Sequence, residues 1–245
     1  AYGEIKPNRP CIIIGAGNGE IRPKIVLAPN SPGFQNPNEP KNVIYIWTHG
    51  ADVFEKPQPN INTNQIIRNV DIEIREGNPG AIGIHHDGAQ GSGIENVTVY
   101  AGDGYAGISG LQAGGGGTHN VTVYGGMYGL DASSSLATAA TVSGATFIGQ
   151  RKSAVIYNGL ETMCLVGAEI VVPEGATGPA ICLAGTDATR GTMSIVDTKI
   201  TFEKQEETNT AIGGNRSVYL NNVWVQGGAK IVQTSDGGSL EGLMT

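Results

Sequence analysis

Four side chains that can take, give or hold a proton end four short segments of similar pattern: His85, Ser109, Asp131 and Tyr157. The segments are Ala81-Ile-Gly-Ile-His85, Tyr105-Ala-Gly-Ile-Ser109, Met127-Tyr-Gly-Leu-Asp131 and Ser153-Ala-Val-Ile-Tyr157. If these are parallel strands stacked side by side, the four side chains form one file, with His85 and Asp131 about 9 to 10 Å apart. His86 and Asp87 follow at the first strand's end. Asp103 sits in the turn before Tyr105, and Arg151 and Lys152 in the turn before Ser153. Two carboxylates can hydrolyse a glycosidic bond between them, and an inverting pair stands about 6.5 to 9.5 Å apart, which makes Asp131 and Asp87 the candidate pair. β-Elimination instead needs a base beside a uronate carboxylate and a cation on that carboxylate. His85 or Tyr157 with Arg151 or Lys152 would serve.

The bland readings of the same residues are specific too. A lone outward Asp on a repeat is ordinarily a solvated charge. Adjacent His85 and His86 point to opposite faces, so they do not form a two-ligand metal site, and no metal or cofactor is expected. Ser109 lacks a Gly-x-Ser-x-Gly setting, and a triad with His85 and Asp131 would have to reach across neighbouring strands. His119 stands beside a corner asparagine and reads as structural or solvent-facing, and His49 carries no signal.

The elements that must position these groups come from a repeat. Asn69, Asn96, Asn120, Gly144, Gly167, Asp197 and Asn222 recur at steps of 27, 24, 24, 23, 30 and 25 residues. These residue types tolerate left-handed backbone, which predicts one corner per repeat and, where the side chains stack, a ladder. Asn96-Val-Thr and Asn120-Val-Thr also match the glycosylation sequon, but the corner explains them better. A short strand follows each corner and a second one lies further on, which is the signature of a solenoid. Later segments continue the second column: Pro179–Leu183, Thr210–Gly214 and Ala229–Gln233. Alternation then points the second and fourth positions inward (Ile82 and Ile84 in the first segment). The third and fifth point outward. Gly83, Gly107 and Gly129 in the third position would line a groove beside the file. Ser109, His86, Asp103, Arg151 and Lys152 complete the expected substrate contacts.

Composition agrees. Gly accounts for 38 of 245 residues and aromatics for 6%, which suits many tight turns and not a helical globule. The net charge of −7 argues against a nucleic-acid partner. No apolar run is long enough for a membrane helix. Cys11, Cys164 and Cys182 form neither a disulfide framework nor a zinc pattern and read as free thiols. Gly15-Ala-Gly17-Asn-Gly19 is followed by no helix-forming sequence and is not a dinucleotide loop. The first stretch holds strands at Cys11–Ile14, Lys24–Leu27 and Asn42–Trp47, with Pro-rich loops and an excursion over 48–64. The expected fold is all-β: one domain over 1–245, a single-stranded right-handed parallel β-helix of roughly seven to nine coils. Within it, 1–65 forms irregular first coils and 66–245 the regular ones.

Three stretches together carry a resemblance: Cys11-Ile-Ile-Ile-Gly-Ala-Gly, then Lys24-Ile-Val-Leu-Ala-Pro-Asn-Ser-Pro-Gly-Phe34, then the Asn-Val-Thr-Val repeats with Gly83-Ile-His-His-Asp87. The chain resembles the pectate-lyase-like superfamily, more narrowly the branch of pectate lyase superfamily proteins and β-1,3-glucanase relatives. It departs from the family by lacking an Asp-Phe-Gly-Ala-rich opening and a capping helix. The chain is therefore expected to be a piece of a longer one, or to have its ends covered by a neighbouring domain or by a homotrimer. The resemblance implies polysaccharide or oligosaccharide as partner and an extracellular setting, with any leader absent from this chain. It leaves open a glycoside hydrolase, a polysaccharide lyase acting on a uronate polymer, and a non-catalytic glycan-binding or tailspike-like module. Acidic net charge and the lack of a dense basic groove favour the hydrolase.

Overall fold

The computed structural model describes residues 10–17, 21–47, 59–133, 139–185, 191–235 and 237–241. Nineteen strands follow in chain order: β1 (Ile12–Ile14), β2 (Lys24–Leu27), β3 (Lys41–Ile46), β4 (Ile66–Arg68), β5 (Asp71–Ile74), β6 (Ala81–His86), β7 (Gly93–Gly102), β8 (Ala106–Ser109), β9 (Gly117–Gly125), β10 (Tyr128–Ala132), β11 (Thr141–Ser143), β12 (Thr146–Ile148), β13 (Ser153–Tyr157), β14 (Met163–Val166), β15 (Glu169–Val172), β16 (Ile181–Leu183), β17 (Met193–Gly214), β18 (Val218–Thr234) and β19 (Ser239–Glu241). The one helical element among the described residues is a 3-10 turn, Pro59–Ile61, at the end of the expected excursion. No described helix is long and apolar enough to cross a membrane.

All nineteen strands join one sheet, and the described pairings are parallel except that of β18 with β19. They fall into three ladders, a solenoid-like arrangement. The first runs β1–β4–β7–β9–β11–β14–β17–β18. The second runs β2–β5–β7–β9–β12–β15–β17–β18. The third runs β3–β6–β8–β10–β13–β16–β17–β18. The long strands serve two or three ladders because they bend at the corner residues.

Those corners are where the sequence places them. Asn69, Asn96, Asn120, Gly144, Gly167, Asp197 and Asn222 all have positive φ, between 49° and 62°. The side-chain ladder forms in two places. Asn120 Nδ2 donates to Asn96 Oδ1, and Asn222 Nδ2 to Asp197 Oδ1, each at 2.7 Å. A positive φ costs most L residues roughly 1–2 kcal/mol, which is why Asn, Asp and Gly hold these positions.

The core lies between the ladders. The third ladder contributes one in-register column, Ile84, Ile108, Leu130, Val155, Ile181 and Ile212, all almost solvent-free. Ile72, Val99, Val123, Phe147, Ile170 and Ile200 of the second ladder join it in the same cluster. Each fully buried aliphatic side chain contributes about 1.5–3 kcal/mol, so one such column outweighs any surface pair.

Two expectations are corrected. In β13, β16 and β17 the register is one residue from the one the repeats suggest, and in β18 it returns: Val155 pairs with Leu130, Ile156 with Asp131 and Tyr157 with Ala132, while Gln233 rejoins the file. The third-position glycines face inward. A Cβ on Gly107 would lie 2.3 Å from Val123 Cγ1, one on Gly83 2.7 Å from Val99 Cγ1, and one on Gly129 2.5 Å from Phe147 Cδ1. They make room for the opposite wall of the core, not for a ligand. The second-position side chains Ile82, Ala106 and Tyr128 instead form a separate cluster with Tyr105, Met127 and Ile156 on the other face.

Candidate active site

The outer file of the third ladder reads Tyr45, His85, Ser109, Asp131, Ile156, Cys182, Gly213 and Gln233 in continuous register. His85, Ser109 and Asp131 therefore stand on adjacent strands, as the repeat predicts. β6 delivers His85 and ends at His86, which aims the next residue, Asp87, back at it: His85 Nε2 and Asp87 Oδ2 are 2.7 Å apart. Both side chains keep about a seventh of their surface in solvent. The Tyr45 ring meets the His85 imidazole edge-on at 4.8 Å and stacks on Trp47 at 5.6 Å. Burial, with Asp87 nearby, pushes the Tyr45 hydroxyl pKa up.

Gly110 sits between the two acids. Its N–H donates to the Asp131 carbonyl at 2.9 Å, and a Cβ there would lie 2.7 Å from Asp87 Oδ1. Its φ of 74° is the left-handed conformation that glycine adopts freely. The bare Gly110 therefore lets the Asp87 carboxylate approach the strand end beside Asp131. The Asp131 carboxylate accepts from Ser133 N at 3.0 Å and from Ser133 Oγ at 2.5 Å. Burial first, then the nearby Asp131 charge, drives the Tyr105 hydroxyl pKa up. Tyr105 packs edge-on against Tyr128 at 5.5 Å, and the Lys152 ammonium lies 5.5 Å from the Tyr128 ring centre. A hydrogen bond to Tyr128 raises the Lys152 pKa. Donors fix one carboxylate, an imidazole fixes the other, and aromatic rings flank both. Such a site can move a proton onto a leaving oxygen, activate a water and stack against a sugar ring.

Several expected site residues lie elsewhere. Tyr157 is fully buried in the core, its hydroxyl donating to the Glu161 carbonyl and its ring facing the Arg216 guanidinium at 6.0 Å. Ile156 holds the place in the file assigned to it. His86 faces the interior, so it cannot touch a ligand on the outer face. Arg151 donates to the carbonyls of Gly102, Asp103 and Gly104 at 2.9–3.0 Å and staples that turn. The Asp103 carboxylate accepts from Gly77 N at 3.0 Å. Gly83, Gly107 and Gly129 belong to the core, as above. Lys152 stays on the face, and Ser109 is buried between its neighbours in the file. His49 lies outside the described residues. Tyr45, Tyr105 and Tyr128 are the groups that sequence reasoning missed. Tyr45 is in register with His85 but 40 residues before it, which hides it from a period in the twenties. Among the described residues no three His, Cys, Asp or Glu side chains group closely enough to hold a metal ion.

His86 gives a measurable consequence. Its Nε2 bonds the Gln65 carbonyl at 3.2 Å, which requires a proton on Nε2. Its Nδ1 has no partner among the described residues. Burial lowers its pKa from 6.5 to about 4. Below pH 6.5 the unfolded chain takes up a proton that the folded chain refuses. Stability is therefore full above pH 6.5 and falls between pH 6.5 and 4, by roughly 3 kcal/mol over the whole window. Urea unfolding at several pH values is expected to show this loss, and His86→Leu to flatten its slope. An unchanged slope in the variant would contradict the assignment.

Compared with known proteins, the sequence matches no family model and no curated protein.

Proposed function

We propose that the chain is a right-handed parallel β-helix of roughly seven to nine coils, related to the pectate-lyase-like superfamily. We further propose that it is a secreted glycoside hydrolase acting on a polysaccharide along the outer face of the third ladder. The observation that carries this reading is the His85–Asp87 pair beside Asp131 at the same strand ends: the Asp87 carboxylate lies against Gly110, whose N–H bonds the main-chain carbonyl of Asp131. Asp131, oriented by Ser133, is the base that activates water. The Asp87–His85 pair delivers the proton to the leaving oxygen. Tyr45 and Tyr128 border the path of the sugar chain.

A lyase acting on a uronate polymer is the second reading. It needs a cation on the uronate carboxylate, and Arg151 is committed to three carbonyls, which leaves Lys152. Incubation with neutral β-glucans and with polyuronates separates the two. New reducing ends without ultraviolet absorbance from unsaturated sugar support hydrolysis. Unsaturated product from a polyuronate sinks it in favour of the lyase, and silence on every substrate leaves glycan binding alone.

A further inference from the structure

We infer that the same outer face carries a second, uncharged sugar-binding subsite further along the file, around Cys182, Gly213 and Gln233. This deepens the glycan reading of the acidic site and rests on it. A cavity of about 540 Å³ opens there, within the usual range for ligand pockets. Cys182 lies two strands beyond Asp131 and Gln233 four, or about 10 and 19 Å by strand spacing. One sugar unit cannot span that distance, but an oligosaccharide can.

The lining suits hydroxyl groups. Among the described residues it contains no charged side chain. Gln233 Oε1 accepts from Thr210 Oγ1 at 3.3 Å, and its amide hydrogens have no partner among the described residues. Asn209 spends both amide hydrogens on the carbonyls of Lys204 and Gly227, at 2.7 and 2.9 Å, which leaves its Oδ1 as an acceptor. A free amide donor and a free amide acceptor in one cavity match sugar hydroxyls, which do both. Gly213 packs against the Pro179 ring, where a Cβ would lie 2.9 Å from Pro179 Cγ. Pro179 and Phe202 supply an apolar wall for a sugar ring. The charge of Lys152 acts on Cys182 from the edge of the cavity, and the groups that line it are themselves neutral.

The test reads binding, not turnover. Neutral β-glucan oligosaccharides of increasing length are titrated into the wild-type chain while a thiol reagent modifies Cys182, with exposed Cys11 as internal reference. Longer oligomers are expected to slow modification of Cys182 and not of Cys11. Gln233→Leu is expected to weaken binding of long oligomers about tenfold and to leave short ones unchanged. Failure of every oligomer to protect Cys182 overturns the inference, as does equal affinity in Gln233→Leu. Protection without any turnover keeps this subsite and removes the hydrolase. Turnover independent of chain length, without protection, does the reverse.

Discussion

Gly107→Val is expected to abolish cooperative folding of the solenoid-like core. A Cβ at residue 107 already sits 2.3 and 2.9 Å from the two methyl groups of Val123 and 3.1 Å from the Gly129 carbonyl. Val123 cannot retreat, because it is fully buried and pairs in register with Val99 and Phe147. A β-branched side chain adds two more carbons to that clash. Overpacking of this kind costs about 1–3 kcal/mol where side chains can shift, and the backbone contact places Gly107→Val at or above the top of that range. Gly114→Val is the control, since among the described residues a Cβ there meets nothing closer than Ala139 Cβ at 3.9 Å. Thermal melts should show a low or absent transition for the first variant and a normal one for the second. If the glycines lined an outer groove instead, Gly107→Val would fold normally and would only block the ligand.

Asp131→Asn is expected to lower turnover of the cognate glycan by about 10²- to 10⁴-fold, the usual contribution of a positioned acid or base. The fold should survive. Asn keeps a carbonyl oxygen that can accept from Ser133 N and Oγ, and the residue lies on the outer face, away from the aliphatic column. Tyr105→Phe removes a phenolic hydroxyl near the same carboxylate and should cost much less. A melting temperature close to wild type, with turnover lost, separates chemistry from folding. Full activity in Asp131→Asn would remove this carboxylate from the mechanism.

The parts of this architecture that the sequence announces are those where one residue type has no substitute. The corner positions are legible because only Asn, Asp and Gly take a positive φ at low cost, and all seven do. The file from His85 to Asp131 is legible because three consecutive segments share one pattern. The register of β13 is not, because Ser153-Ala-Val-Ile-Tyr157 carries apolar residues in neighbouring places and alternation alone fits two alignments. Packing decides it: Val155 completes a column of Ile, Leu and Ile, and Tyr157 enters the core. Glycine direction is equally silent, since a residue without a side chain shows no polarity, and the facing wall of Val99, Val123 and Phe147 settles it. The burial of His86 and the stapling role of Arg151 depend on contacts with Gln65 and with the turn at 102–104, which no local pattern encodes.

The most direct test of the site is to map a soluble oligosaccharide of the cognate glycan onto the backbone amide spectrum of Asp131→Asn. Perturbed amides at His85, Ser109, Gly110 and residue 131, with Tyr100 and Tyr124 of the second ladder unmoved, are the predicted result. Perturbation confined to the stacked pair Tyr100 and Tyr124, with the His85–Asp87 end unchanged, would contradict it.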